Sequence, residues 1–286
     1  MSDATGGLVH LKLEMVQPTS SYKIRGAFNA ALALKDARPR LVTASAGNHG
    51  RALAYAARTL GLPLTVFIAA DAPRAKVDAI RAAGARLEPC KDYDEAERRA
   101  KAHAASGDFV FVSPYSHPDV IAGAGTIMLE LLEDLPNLDA VVVPVGGGGL
   151  ISGIGIAAKA LSPSTRVIGV EVEASSPFTH SLAAGRLVTI VVGPSLADGL
   201  IGNVDPDTIT FDIVRRVVDR IDVVNEAELK GALAALIVNE HLLVEPAAAT
   251  GPAAITGGRL DLRDQRVAVI LTGANIDRER IVEVIG

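Results

Sequence analysis

Short apolar runs alternate with alanine-rich stretches of helical periodicity along most of this chain, and that rhythm restricts what it can fold into. Residues 8–13, 41–43, 64–69, 109–112, 140–145, 167–170 and 267–271 are apolar on both faces, as expected of parallel strands covered by helices. Between many of them, residues 50–60, 74–83, 92–105, 120–132 and 153–161 carry alanine-rich, periodic patterns that favour helix. Gly61, Gly84 and Gly107 stand where such helices should stop. The alternation predicts an α/β fold of doubly wound open sheets with right-handed crossovers. Residues 174–218 break the rhythm with Pro177, Gly185, Pro194, Gly199, Gly202 and Pro206, which predicts a helix followed by a long, loop-rich excursion. Residues 226–241 and 246–256 return to helix.

The bulk composition removes several function classes. With 286 residues, 49% of them hydrophobic and 21% charged, the chain can build a sizeable core as one large domain or two smaller ones. A net charge of −5 and a pI near 5.7 argue against nucleic acid or an anionic membrane as the main partner. There is no Trp and only 3% aromatic residues, so platforms for stacking bases are scarce. Cys90 is the single cysteine, which excludes an intrachain disulfide, lacks the spaced partners of a metal site and suits a reducing cytosol. No basic-then-apolar signal segment opens the chain. Mean hydropathy is +0.31, yet no apolar run approaches the ~20 residues a membrane span needs. A cytoplasmic protein acting on a small molecule is expected.

In open α/β sheets, ligands bind beyond the carboxyl ends of strands, so the turns at 44–49, 113–118, 144–150, 171–177 and 272–277 are the places to search. One of them holds Gly146, Gly147, Gly148 and Gly149 before Leu150. Four glycines between a buried strand and a helix let peptide N–H groups close on an anion such as phosphate; a tightly packed turn is the alternative. The loop has no lysine, so it is not a Walker loop. Gly153, Gly155 and Ala158 match a dinucleotide-binding pattern but lie inside the presumed helix. Ser45, Ala46, Gly47, Asn48 and His49 form a second small-residue turn that can offer donors to a carboxylate or phenolate, or serve as an ordinary cap. Thr272, after the last strand, has the same two readings.

Lys23 lies in the stretch Gln-Pro-Thr-Ser-Ser-Tyr-Lys-Ile-Arg-Gly-Ala at residues 17–27. It follows a hydroxyl-rich turn and Tyr22, and opens an apolar helix through Ile24, Ala27, Phe28, Ala31 and Leu32. A desolvated, neutral lysine condenses with carbonyls; in isolation, most lysines at helix starts are solvated charges. Ser20 to Lys23 also matches the S-x-x-K of penicillin-binding enzymes, but the companion motifs are absent.

Together these segments resemble the fold-type II family of pyridoxal-phosphate enzymes, the tryptophan-synthase-β-like group, and within it the threonine/serine dehydratase branch that includes serine racemase. The resemblance runs from about Leu11 to the end. It implies two doubly wound domains with the cofactor in the cleft between them. Residues 1–34 and 119–286 would form a large cofactor domain and residues 35–118 a small one. Residues 17–27 resemble the family segment whose lysine carries the cofactor as a Schiff base, which assigns that role to Lys23 and the neighbouring aromatic to Tyr22. Residues 44–50 resemble the substrate-carboxylate loop (Ser45, Ala46, Gly47, Asn48, His49), with Asn48 also bonding the cofactor phenolic oxygen. Gly146, Gly147, Gly148, Gly149 and Leu150 would hold the phosphate. Thr272 would bond the pyridine nitrogen, and Glu245 would lie beside the ring. A threonine at the ring nitrogen makes a milder electron sink than an aspartate would, which suits elimination from the β-carbon.

The implied activity is a lyase that removes water from a β-hydroxy amino acid such as threonine or serine, giving a 2-oxo acid and ammonia. Hydroxyaspartate or phenylserine would use the same machinery. Serine racemases carry a serine base at the position of Ala46, so racemisation is the lesser expectation. Their divalent-cation ligands correspond to Glu171, Ser175 and the residue at 177; Pro177 cannot ligate through its side chain, so no metal is expected and Glu171 should pair locally. The chain ends at Gly286 without a regulatory domain, so inhibition by isoleucine is not expected. It has only 22 residues before Lys23, fewer than family members usually have, which would weaken the dimer or the substrate mouth. Family members are commonly homodimers. The competing readings are a non-catalytic cofactor-binding homologue and a nicotinamide oxidoreductase.

Overall fold

A computed structural model describes residues 1–286, with side chains at all positions except 3 and 4. Nine strands occur in the order β1 Leu8–Leu13, β2 Arg40–Ala44, β3 Leu64–Ala69, β4 Arg86–Cys90, β5 Phe109–Phe111, β6 Ala140–Pro144, β7 Arg166–Val172, β8 Arg220–Val224 and β9 Arg266–Leu271. They form a five-stranded sheet ordered β1-β9-β6-β7-β8 and a four-stranded sheet ordered β4-β3-β2-β5. Every strand pair is parallel.

The chain divides into two compact units, Met1–Val16 with Gly125–Gly286, and Gln17–Ala124. The sequence reading set its first boundary after residue 34 and its second before residue 119. The difference comes from helix Lys23–Leu34, which packs on helix Asn48–Leu60. Ile24, Ala27, Ala30 and Ala31 join Leu53, Ala56 and Ala57 in one buried cluster. At Gly26 a Cβ would lie 2.5 Å from the Val120 carbonyl oxygen, and at Gly123 one would lie 2.5 Å from the Arg25 carbonyl oxygen. Glycine is therefore required where these backbones meet, and the lysine-bearing helix belongs to the four-stranded unit.

In the five-stranded unit the central strands β9, β6 and β7 are apolar along most of their length, and β6 is buried at every position. Ile168, Val170 and Val172 of β7 pack with Leu229, Leu233 and Leu236 of helix Glu226–Val238. On the opposite face, Gly169 makes room for Val145 and Ile151, which seats helix Gly149–Leu161 on the sheet. The sequence reading missed β4 and β8. Both are edge strands, and β8 carries Arg220 hydrogen-bonded to Asp222, the kind of charged edge that discourages pairing with another chain. The excursion at 174–218 contains helix Pro177–Ala184, as expected, and also helix Thr210–Val217, which was not. Its loop is clasped by side chains: Asn203 brackets the peptide of Ile190, and Ser175 Oγ both donates to and accepts from Gly202. No helix is long and apolar enough to cross a membrane among the described residues.

Candidate active site

In the unit Gln17–Ala124, Lys23 is the first residue of its helix, and Tyr22 precedes it. The lysine is half-buried. Its Nζ donates to the Pro114 carbonyl at 2.7 Å and stands 5.3 Å from the centroid of the Tyr22 ring. Pro114 belongs to the turn after β5. That turn is braced by the Ser113 hydroxyl, which accepts from the Ser116 N–H at 3.0 Å. The sequence had marked this turn for inspection without assigning it a residue. A carbonyl leaves no side-chain signature to read.

The loop at residues 45–48 follows β2. The Ser45 hydroxyl accepts from the Gly47 N–H at 3.2 Å. A Cβ at Gly50 would come within 2.0 Å of the Ser45 carbonyl oxygen, so only glycine lets the helix start this close to the loop. The peptide N–H groups of Ala46, His49 and Gly50 have no acceptor among the described residues, and they stand at the positive end of a helix. Asn48 is the first residue of that helix. The His49 ring points the other way, into the interior, where Nε2 lies 3.1 Å from the Val112 carbonyl oxygen.

In the other unit, the loop after β6 fits a phosphate. None of the six peptide N–H groups from Gly146 to Ile151 finds an acceptor among the described residues. Gly148 has φ +83° and caps helix Gly149–Leu161. Behind the loop, a Cβ at Gly148 would meet Phe178 Cζ at 2.5 Å, and one at Gly146 would meet Leu200 Cα at 3.2 Å. The Thr210 hydroxyl donates to the Gly147 carbonyl at 2.9 Å, turning that oxygen aside. A run of unspent donors at a helix start is the arrangement that binds phosphate. Leu150 is buried beneath it.

Thr272 follows β9 with 3% exposure, and its hydroxyl bonds nothing among the described residues. The Glu245 N–H donates to the Gly273 carbonyl at 2.9 Å. The Glu245 carboxylate lies against Gly273, within 2.6 Å of where a Cβ would stand. These two residues are thus neighbours, as a ring-binding pair would have to be.

Glu171 is fully buried at the end of β7. Its carboxylate accepts from the N–H groups of Phe178 and Thr179 at 2.9 and 2.8 Å and from the Thr179 hydroxyl at 2.6 Å. Burial raises its pKa, against the lowering effect of these donors. Both oxygens are committed to the start of helix Pro177–Ala184, and no group of three or more His, Cys, Asp or Glu side chains suited to a metal occurs among the described residues. We expect Glu171→Ala to strand one buried and one partly buried N–H group and cost about 2–3 kcal/mol, measured by denaturant unfolding; unchanged stability would contradict this capping role.

A lysine held by a backbone carbonyl lies in one parallel-sheet unit, and a glycine loop of unspent donors and a buried threonine after the last strand lie in the other; each suits one part of a pyridoxal-phosphate cofactor. Comparison with known proteins gives the family. Residues 1–273 match the family described as "Pyridoxal-phosphate dependent enzyme", and the chain belongs to that family. It is 41% identical to an L-threonine ammonia-lyase of Thermotoga maritima over 100% of this chain and 71% of that protein. It is 37% identical to the catabolic L-threonine dehydratase TdcB of Escherichia coli over 100% of this chain and 88% of that one. The processed form of threonine deaminase isoform 2 from Solanum lycopersicum superposes with a TM-score of 0.92 at 30% identity, covering 99% of this chain and 84% of that chain.

Proposed function

We propose that this protein is a pyridoxal-phosphate-dependent ammonia-lyase that removes water from L-threonine or L-serine and releases a 2-oxo acid and ammonia. The observation that carries the reading is Lys23 Nζ, half-buried and 2.7 Å from the Pro114 carbonyl. The names of the relatives support the substrate class. Bound pyridoxal phosphate would supply an aldehyde for the substrate amine and an electron-withdrawing ring that acidifies the α-proton.

The chain's own residues do the rest. The N–H groups of Ala46 and His49, with Ser45, Gly47 and Asn48, bind the substrate carboxylate. Lys23 would hold the cofactor through its aldehyde, and its amine, once freed, is the base placed to accept the substrate's α-proton. The Pro114 carbonyl holds one amine hydrogen and so aims the lone pair. The loop from Gly146 to Leu150 takes the phosphate. The Thr272 hydroxyl would bond the ring nitrogen without keeping it protonated, a milder electron sink that suits loss of the β-hydroxyl. Tyr22 would be the aromatic next to the cofactor-bearing lysine, and Glu245 would lie beside the ring. No divalent cation is assigned a role.

Purified protein supplied with pyridoxal phosphate should release 2-oxo acid from L-threonine or L-serine. Release only from threo-3-hydroxyaspartate or phenylserine would correct the substrate, and no release from any of them would contradict the lyase reading. Ala46 separates this chain from racemases, which carry a serine there. We expect Ala46→Ser to produce measurable D-serine from L-serine, scored by chiral chromatography. No D-serine would show that one hydroxyl does not supply the second base.

A further inference from the structure

The sequence places His49 in the anion-binding loop, but its ring does something else. It is 2% exposed, with Nε2 3.1 Å from the Val112 carbonyl oxygen. That oxygen also accepts from the Thr43 hydroxyl at 2.8 Å. Burial first, and then the charge of Lys23, push the histidine down to a pKa of about 3. The ring is therefore neutral at any working pH, and the carbonyl fixes its proton on Nε2. Nδ1 is buried with no hydrogen-bond partner among the described residues. Leaving an acceptor unsatisfied costs stability, so a nonpolar residue of similar shape would serve the core better.

Two residues beyond Val112, the Pro114 carbonyl holds Lys23 Nζ at 2.7 Å. The Val112 N–H is itself bonded to the Val42 carbonyl at 2.9 Å, and Ser113 braces the turn that follows. His49 is the second residue of helix Asn48–Leu60. One imidazole thus fastens the start of the helix that offers N–H donors to the start of the turn that holds the lysine.

We infer that His49 is a positioning residue: its Nε2–H bond to the Val112 carbonyl sets the distance between the carboxylate-binding loop and the Pro114 carbonyl that aims Lys23. A substrate anchored by its carboxylate then presents its α-carbon at a fixed reach from the lysine amine, which is what a unimolecular proton transfer requires. The inference rests on the lyase reading for its kinetic consequence, and on geometry alone for its effect on how Lys23 meets an aldehyde.

The test uses three full-length proteins: wild type, His49→Phe, which keeps a flat ring without the donor, and His49→Gln, which keeps a donor. Two readouts are taken. One is the rate at which pyridoxal phosphate loads onto the cofactor-free protein, followed by absorbance and borohydride trapping; the other is kcat and KM for L-threonine. His49→Phe should load roughly 10-fold more slowly and lose on the order of 10–100-fold in kcat, the scale of a misplaced reacting group, with a smaller change in KM. His49→Gln should recover to within about fivefold of wild type, the worth of roughly 1 kcal/mol. A role in core packing alone predicts a lowered melting temperature with loading and kcat unchanged, and that result overturns the inference. If His49→Phe does not fold, His49→Gln decides: near-wild-type loading supports the inference, and lost loading at unchanged melting temperature overturns it. If wild type loads cofactor but turns over no hydroxy amino acid, the lyase reading fails while the loading rates still judge His49.

Discussion

Lys23→Ala should abolish turnover and leave the fold standing. Loss of a positioned general base alone costs roughly 10²–10⁴-fold. Here the same side chain also takes the cofactor aldehyde, so the residual rate should fall to the lower end of detection. The fold should tolerate the change because the lysine is half-buried and its amine bonds a backbone carbonyl, that of Pro114, rather than a buried charge. Alanine is also a better helix former at the head of Lys23–Leu34. Circular dichroism and thermal melting within a few degrees of wild type, together with turnover below ~10⁻³ of wild type, are the expected pair. Retained turnover would remove the basis of the assignment.

Gly148→Ala should be the second large effect, and it acts on the cofactor rather than the chemistry. The residue has φ +83°, a conformation that costs an L-residue about 1–2 kcal/mol. Its new methyl would also lie 2.5 Å from Phe178 Cζ and 3.1 Å from Thr210 Cβ. The aromatic ring is fully buried and has nowhere to go, so the loop must move. Its six unspent N–H groups then no longer converge. Losing even two charge-assisted hydrogen bonds, each about 1.5–3 kcal/mol, raises the Kd for pyridoxal phosphate by ~10²-fold or more. Equilibrium dialysis against pyridoxal phosphate measures this. Gly231→Ala is the control, because a Cβ there meets nothing within 4 Å and its affinity should match wild type. Wild-type affinity in Gly148→Ala would show that the loop is not the phosphate cradle.

What the sequence reveals of the fold depends on burial. Strands β6 and β9 are runs of valine, isoleucine, leucine and alanine because both faces are covered, and they are visible at once. Strand β4 reads Arg-Leu-Glu-Pro-Cys and β8 reads Arg-Ile-Asp-Val-Val. Each is an edge, where solvent and charge interrupt the apolar pattern and Pro89 is tolerated. Helix Thr210–Val217 hides in a stretch punctuated by proline and glycine. Only Phe211 and Val214 are buried on its apolar side, too few to announce a helix without helix Gly149–Leu161 behind them.

The candidate site divides in the same way. Glycine runs, a lysine after Ser-Ser-Tyr and a small-residue turn can be read from letters, because they work through the freedom of the backbone or through a distinctive group. The partners that aim them cannot be. The carbonyls of Pro114 and Val112 are anonymous in sequence, and the direction of the His49 ring is settled by its burial and its bond to the Val112 carbonyl. Glu171 shows the reverse case. Its letter matched a cation ligand, and its neighbours Phe178 and Thr179 occupy both oxygens with N–H and hydroxyl donors.

The most direct test of the account is to find which residue the cofactor joins. Protein loaded with pyridoxal phosphate is reduced with borohydride, digested, and mapped by mass spectrometry. The account predicts a pyridoxyl group on the peptide bearing Lys23, and its disappearance in Lys23→Ala. A stoichiometric adduct on another lysine, or no adduct on protein that releases 2-oxo acid, would contradict it.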